Sequence, residues 1–109
     1  KKMKLQEIDV HILKKKIDNK DDFILIDVRN DSEYYLSRIE GSIHIPMQTI
    51  PNKMNELDKN KEIIVQCKIG QRSAKVCEFL IKNNFKNVKN LSGGILDWSK
   101  YIDPSMTVY

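Results

Sequence analysis

Ile63-Ile64-Val65-Gln66-Cys67-Lys68-Ile69-Gly70-Gln71-Arg72-Ser73 is the stretch that decides how this chain folds. It opens with a β-branched apolar run, which reads as a strand over 63–66, and it leads into a helix-like segment from Ser73 to Asn83. A cysteine at the end of a buried strand therefore begins a short loop that closes on an arginine and enters a helix. Helix N-termini carry partial positive charge and unpaired N–H groups, so a sulfur anion placed there is stabilised. Arg72 adds a fixed positive charge and Lys68 a second. All three effects favour thiolate, the reactive form of cysteine. The opposing reading is a small, inert cysteine at a strand end, and Gly70 and Arg72 at this spacing weigh against it.

Working outward, strands and helices alternate along the whole chain. Leu5 to Ile8 reads as a first strand, and Asp9 as the N-cap of a helix whose apolar positions Ile12, Leu13 and Ile17 recur at helical spacing. Phe23-Ile24-Leu25-Ile26 is a continuous apolar strand ending at Asp27, of the kind buried on both faces of a parallel sheet. Asn30-Asp31-Ser32 offers caps for a short helix through Leu36, and Ile43 to Ile45 is a short strand stopped by Pro46. Met47 to Leu57 reads as a helical connection interrupted by Pro51. In the helix after the loop, Ala74, Cys77, Leu80 and Ile81 share a face, which makes Cys77 a core residue rather than a resolving thiol. Val88 to Leu91 is a further strand, and Gly93-Gly94 turns into a last helix containing Ile95, Trp98 and Ile102. The pattern predicts an α/β fold with a mainly parallel sheet. Sites in such sheets gather at the carboxyl ends of strands, where Asp27 and Cys67 both stand.

The 109 residues suit one small domain, with 40% hydrophobic and 31% charged residues. No run is apolar enough to cross a bilayer, and no signal-peptide pattern opens the chain. The net charge of +4 is scattered apart from lysine runs such as Lys14-Lys15-Lys16, the wet face of a helix, and only three arginines are present. Neither a nucleic-acid partner nor a membrane is expected. Two cysteines suggest a reducing compartment, the cytoplasm (or a stroma if organelle-encoded), rather than a disulfide framework. With His11 and His44 far apart and no C-x-x-C, no metal site is expected.

A six-residue loop from Cys67 to Arg72 turns successive backbone N–H groups toward its centre, an anion-binding nest, and Gly70 accepts backbone angles that other residues resist. Two reactions use such a cradle. The thiolate can attack a sulfur donor and carry a persulfide, or attack phosphorus and carry a phosphoryl group. Four residues separate Cys67 from Arg72, whereas tyrosine-phosphatase-type loops have five, so the shorter loop favours sulfur over a phosphatase or arsenate reductase.

Several signatures now coincide: Leu25-Ile26-Asp27-Val28-Arg29 followed by Glu33-Tyr34; Glu40-Gly41-Ser42-Ile43-His44-Ile45-Pro46; the Cys67 to Ser73 loop; and Leu91-Ser92-Gly93-Gly94 with Trp98. In this order and spacing the chain resembles a single-domain rhodanese over nearly all its length. The resemblance implies a doubly wound, five-stranded, mainly parallel sheet with helices on both faces. It implies a sulfurtransferase with a catalytic persulfide on Cys67. The loop of Lys68, Ile69, Gly70, Gln71, Arg72 and Ser73 would hold the sulfane sulfur. Asp27 is expected to shape the floor of the site and Arg29 to pair with Glu33; Gly93, Gly94 and Trp98 are expected to pack. No cofactor is implied. A docking module that keeps the fold without the chemistry is the rival reading, and retention of Cys67 argues against it. One departure is Ser37-Arg38, where relatives often carry Gly-His; Arg38 there would favour an acidic partner.

The tail from Trp98 to Tyr109 and the run Cys67-Lys68-x-Gly70-x-Arg72-Ser73-Ala74-Lys75 resemble rhodanese domains fused behind molybdopterin-synthase adenylyltransferases. That likeness implies a domain, residues 1–109, at the C-terminal end of such a fusion. Its sulfur donor would be thiosulfate or a persulfidated protein, and its acceptor the activated C-terminus of a small ubiquitin-like sulfur carrier. The routes this likeness implies for the sulfur are molybdenum cofactor synthesis and tRNA thiolation.

Overall fold

The segment Ile63–Gln66 becomes the central strand of a five-stranded sheet in the computed structural model, which describes residues 4–109. In chain order the regular elements are β1 (Gln6–Ile8), α1 (Val10–Asp18), β2 (Ile24–Asp27), α2 (Asp31–Leu36), β3 (Ile43–His44), α3 (Ile50–Lys53), β4 (Ile63–Gln66), α4 (Gln71–Lys82), β5 (Val88–Leu91) and α5 (Gly94–Tyr101). The strands lie in the order β1-β5-β4-β2-β3, and every pairing is parallel. All four residues of β4 are buried, which explains the unbroken apolar run Ile63–Val65 before the buried Gln66.

Two apolar layers cover the two faces. On one, Val76, Cys77 and Leu80 of α4 join Ile50, Ile26 and Val65. On the other, Val10 and Leu13 of α1 meet Ile95 and Trp98 of α5 over Leu25, Ile64 and Leu91. This is the expected α/β sheet with helices on both sides. Cys77 lies fully inside the first layer, where burial pushes its thiol up to about 12. Truncating a fully buried side chain such as Leu13 would cost about 2–5 kcal/mol.

Local signals set the helix starts. Asp9 caps α1 by accepting from the Ile12 N–H at 2.9 Å. Asn30 and Glu33 form a reciprocal capping box at α2. The connection from Met47 differs from expectation. It comprises a 3₁₀ turn (Met47–Thr49), α3, and a second 3₁₀ turn (Met54–Glu56). Pro51 sits in the first turn of α3, where its missing N–H breaks no bond, so the irregularities fall on either side of it. No helix among the described residues is long and apolar enough to cross a membrane.

Candidate functional site

Cys67 follows β4 directly, and its side chain is buried at the N-terminal end of α4. Gly70 is the N-cap of that helix. Its φ of +102° lies in the left-handed region that glycine alone adopts readily, and this turns its N–H onto Cys67 Sγ at 3.1 Å. The Ser73 N–H reaches the same sulfur at 3.4 Å and the Ser73 hydroxyl lies 3.3 Å away. Burial raises the thiol, but the Ser73 hydroxyl and the N–H groups of Ser73, Gly70 and Ile69 outweigh it, and Cys67 ends below its ordinary value. The sulfur therefore sits among donors, as the loop sequence suggests. Ile69 and Gln71 turn outward to solvent, and Lys68 is half-buried.

The carbonyls of the loop are held on the opposite side. Cys67 O accepts from the Ile95 N–H at 2.9 Å and Lys68 O from the Leu96 N–H at 3.0 Å, both in the first turn of α5. Gly94 makes this possible. A β-carbon there would stand 2.5 Å from Cys67 O and closer still to Lys68 O. Gly94 thus does more than pack: its bare backbone lets α5 back the loop.

Arg72 does not aim its guanidinium at the sulfur. It forms two hydrogen bonds with Glu33, at 2.8 and 2.9 Å, and these keep it firmly protonated while holding Glu33 below the usual carboxylate range. The expected pairing of Arg29 with Glu33 is therefore corrected. Arg29 bonds Asp27 instead, with Nε to Oδ1 at 3.0 Å and Nη2 to Oδ2 at 2.8 Å, while its backbone N–H also reaches Oδ1 at 3.0 Å. Asp27 is fully buried at the end of β2, and a carboxylate there requires a cation within reach. Arg29, two residues on, is that cation. The capping box orients Glu33 toward α4, where Arg72 takes it. The Asp27–Arg29 pair makes no hydrogen bond to the cysteine loop; its outer contact is Arg29 Nη2 to Ser37 O at 2.6 Å.

At the Ser37-Arg38 departure, the Ser37 hydroxyl donates to Thr107 O at 2.5 Å, tying the C-terminal segment to α2. Arg38 lies over the Tyr34 ring at 4.7 Å, and that ring stacks on His44 at 4.2 Å. A groove of about 750 Å³ runs beside the loop between Met47 and the first turns of α4, with Gly70, Arg72 and Lys75 along it.

The Rhodanese-like domain family model matches residues 9–101. The chain is 41% identical to the putative sulfurtransferase YtwF of Bacillus subtilis, with 94% of this chain and 98% of that protein covered. It is 31% identical to a sulfurtransferase of Allochromatium vinosum, covering 89% and 91%. The crystal structure of a rhodanese-like domain protein from Staphylococcus aureus superposes with a TM-score of 0.83 at 32% identity, over 96% of this chain and 99% of that one.

Proposed function

This chain belongs to the rhodanese-like domain family and is a sulfurtransferase, and from that premise we propose that Cys67 carries the transferred sulfur as a persulfide. One observation carries the reading: three hydrogen-bond donors, from Gly70 and Ser73, stand within 3.4 Å of Sγ at the start of α4. The thiolate attacks the outer sulfur of thiosulfate or of a protein persulfide. The S–S bond of the donor breaks, and its electron pair leaves on sulfite or on the donor thiolate. The outer sulfur then bears the negative charge, and the loop from Lys68 to Ser73, whose Gly70 and Ser73 N–H groups point at Sγ, receives it. An acceptor nucleophile removes that sulfur and returns Cys67 to thiolate. Arg72, bound to Glu33, contributes through its field and by fixing the loop end; Asp27 and Arg29 support the strand from which the loop departs.

Mass spectrometry of the intact chain after incubation with thiosulfate tests this. A gain of one sulfur atom that is absent in Cys67→Ala is expected. No gain, or an equal gain in the variant, rejects the assignment.

For the acceptor we propose the activated C-terminus of a small ubiquitin-like sulfur carrier, on the likeness of the Trp98–Tyr109 tail and the Cys67–Lys75 run to fused rhodanese domains. The groove beside Gly70 and Arg72 leaves room for an extended chain end to approach. A carrier acyl-adenylate, offered to the persulfidated protein with an added thiol reductant, should gain sulfur in place of oxygen; a carrier of unchanged mass removes this acceptor. The two free cysteines support a reducing compartment such as the cytoplasm.

A further inference from the structure

Asn90 is a buried amide in the middle of β5, packed beside the cysteine loop. Its Nδ2 donates to Gly70 O at 3.1 Å and to Glu7 Oε2 at 2.9 Å, so both amide hydrogens are used. Its Oδ1 is buried without a partner. The reversed amide would set that oxygen against two acceptors, so the donor end must face the loop. An unpartnered buried acceptor is costly, and an apolar residue of similar shape would avoid that cost. A side chain that leaves one polar atom stranded while spending both donors on one loop carbonyl and one exposed carboxylate suits a positioning task better than packing.

We propose that Asn90 is the positioning residue of the cysteine loop, pinning the Gly70 carbonyl while Glu7 pins the Asn90 amide. Gly70 is the pivot of the loop. Its N–H points at Sγ, its carbonyl also accepts the first α4 bond from Ala74 at 3.3 Å, and its left-handed backbone has no side chain to hold it. Peptide planarity links the carbonyl of Gly70 rigidly to the N–H of Gln71. Fixing that oxygen therefore fixes the Gly70–Gln71 peptide plane, so that only the backbone angles of Gly70 remain to set the N–H that points at Sγ. The relay runs from the exposed Glu7 on edge strand β1, through Asn90 on β5, to the loop beyond β4.

This proposal rests on the reading of Cys67 as the nucleophile, but its test needs no sulfur transfer. Charged and titratable groups around the sulfur are Lys68 in the loop and Arg72 and Cys77 on α4. Glu33 on α2 pairs with Arg72, which also feels the field of Asp27 on β2, and Cys77 feels the fields of Glu7 on β1 and Glu78 on α4. The rate of Cys67 alkylation by iodoacetamide, measured against pH, reports thiolate directly. Asn90→Leu should move the midpoint to higher pH and slow the reaction at pH 7 by roughly threefold, with the high-pH plateau unchanged. Glu7→Ala, a change at an exposed residue, decides the matter should Asn90→Leu fail to fold. Removing a negative charge alone would favour thiolate and speed the reaction. Loss of the relay slows it. Slower reaction at neutral pH in Glu7→Ala supports the proposal. A faster or unchanged rate, or a uniform slowing at every pH, overturns it. A wild-type chain that alkylates normally but takes no sulfur from thiosulfate would sink the sulfurtransferase mechanism while leaving the relay standing.

Discussion

Glu33 and Arg72, 39 positions apart, meet through two parallel hydrogen bonds of 2.8 and 2.9 Å that join α2 to the first turn of α4. The same carboxylate accepts from the Asn30 N–H at 3.1 Å, so one side chain closes the capping box of α2 and clamps the end of the cysteine loop. The pair is partly exposed, with the Arg72 side chain 36% and the Glu33 side chain 19% accessible, and solvent weakens it accordingly. Glu33→Ala is expected to lower stability by about 1 kcal/mol, the scale of a cap plus a screened ion pair. Urea unfolding at neutral pH measures it, and no change would mean that neither contact matters.

The acid limb of stability should carry the same signature. Glu33 titrates below its ordinary 4.5, first because of the Arg72 hydrogen bonds. A carboxylate depressed in the folded state contributes stability above its unfolded value and loses it as pH falls through the folded one. Wild type should therefore weaken below about pH 4.5, and Glu33→Gln should weaken less steeply over the same window. Thermal midpoints collected from roughly pH 6 down to 3 give both slopes; parallel curves would remove Glu33 from the acid limb.

Two cysteines on one face of the sheet should pull in opposite directions at alkaline pH. Cys67 is lowered from 9.0 despite its burial, by donors from Ser73, Gly70 and Ile69. Its ionisation stabilises the fold above 9.0, and that contribution disappears as pH falls through the lowered value. Cys77 is raised to about 12, chiefly by desolvation, so it supports the fold below 9.0 and loses that support as pH rises toward 12. Cys67→Ala should be comparatively weaker than wild type near pH 9, and Cys77→Ala comparatively more resistant between 9 and 12. Ser73→Ala, which deletes one donor, should slow alkylation of Cys67 at pH 7. A rate equal to wild type would show the hydroxyl to be irrelevant.

The fold was legible because its evidence is local and continuous. Ile24–Ile26 and Ile63–Val65 are unbroken apolar runs, and only strands covered on both faces need them. The cysteine loop was legible for the same reason, since every group from Cys67 to Ser73 lies within one turn of chain. What sequence order concealed are contacts made by the stacking of crossovers. Arg29 has acidic neighbours at Asp27 and Glu33, and nothing in the spacing says that burial of Asp27 claims it. Glu33 then finds Arg72, and Asn90 finds Gly70, only because β2, β4 and β5 lie side by side. The Asn30-x-x-Glu33 box was a usable signal that Glu33 was turned toward its own helix start rather than back toward Arg29.

The buried pair Asp27–Arg29 gives a sharper energetic test. Both side chains are nearly inaccessible, so Arg29→Ala strands a carboxylate in the interior and should cost about 3–5 kcal/mol. Replacing both together, Asp27→Leu with Arg29→Met, removes the stranded charge and should cost less than Arg29→Ala alone. Chemical unfolding of the three proteins gives the order. A double variant weaker than the single one would mean that the buried charge of Asp27 is not what makes Arg29→Ala costly.

Gly94 tests whether α5 truly backs the loop, with Gly41 as the comparison. Both glycines have positive φ, +58° and +89°, so an alanine at either incurs backbone strain of about 1–2 kcal/mol. Only Gly94 faces a wall. Nothing lies within 4 Å of a β-carbon at Gly41, whereas one at Gly94 would overlap the carbonyl oxygens of Cys67 and Lys68. Those oxygens accept the Ile95 and Leu96 N–H groups, so relieving the overlap must lengthen two hydrogen bonds and shift the residue that bears the sulfur. Gly94→Ala should therefore destabilise by more than Gly41→Ala, by roughly a further 1–3 kcal/mol, and it alone should slow alkylation of Cys67. Equal losses in the two variants, with Cys67 reactivity untouched, would mean that the loop keeps its geometry without α5 behind it.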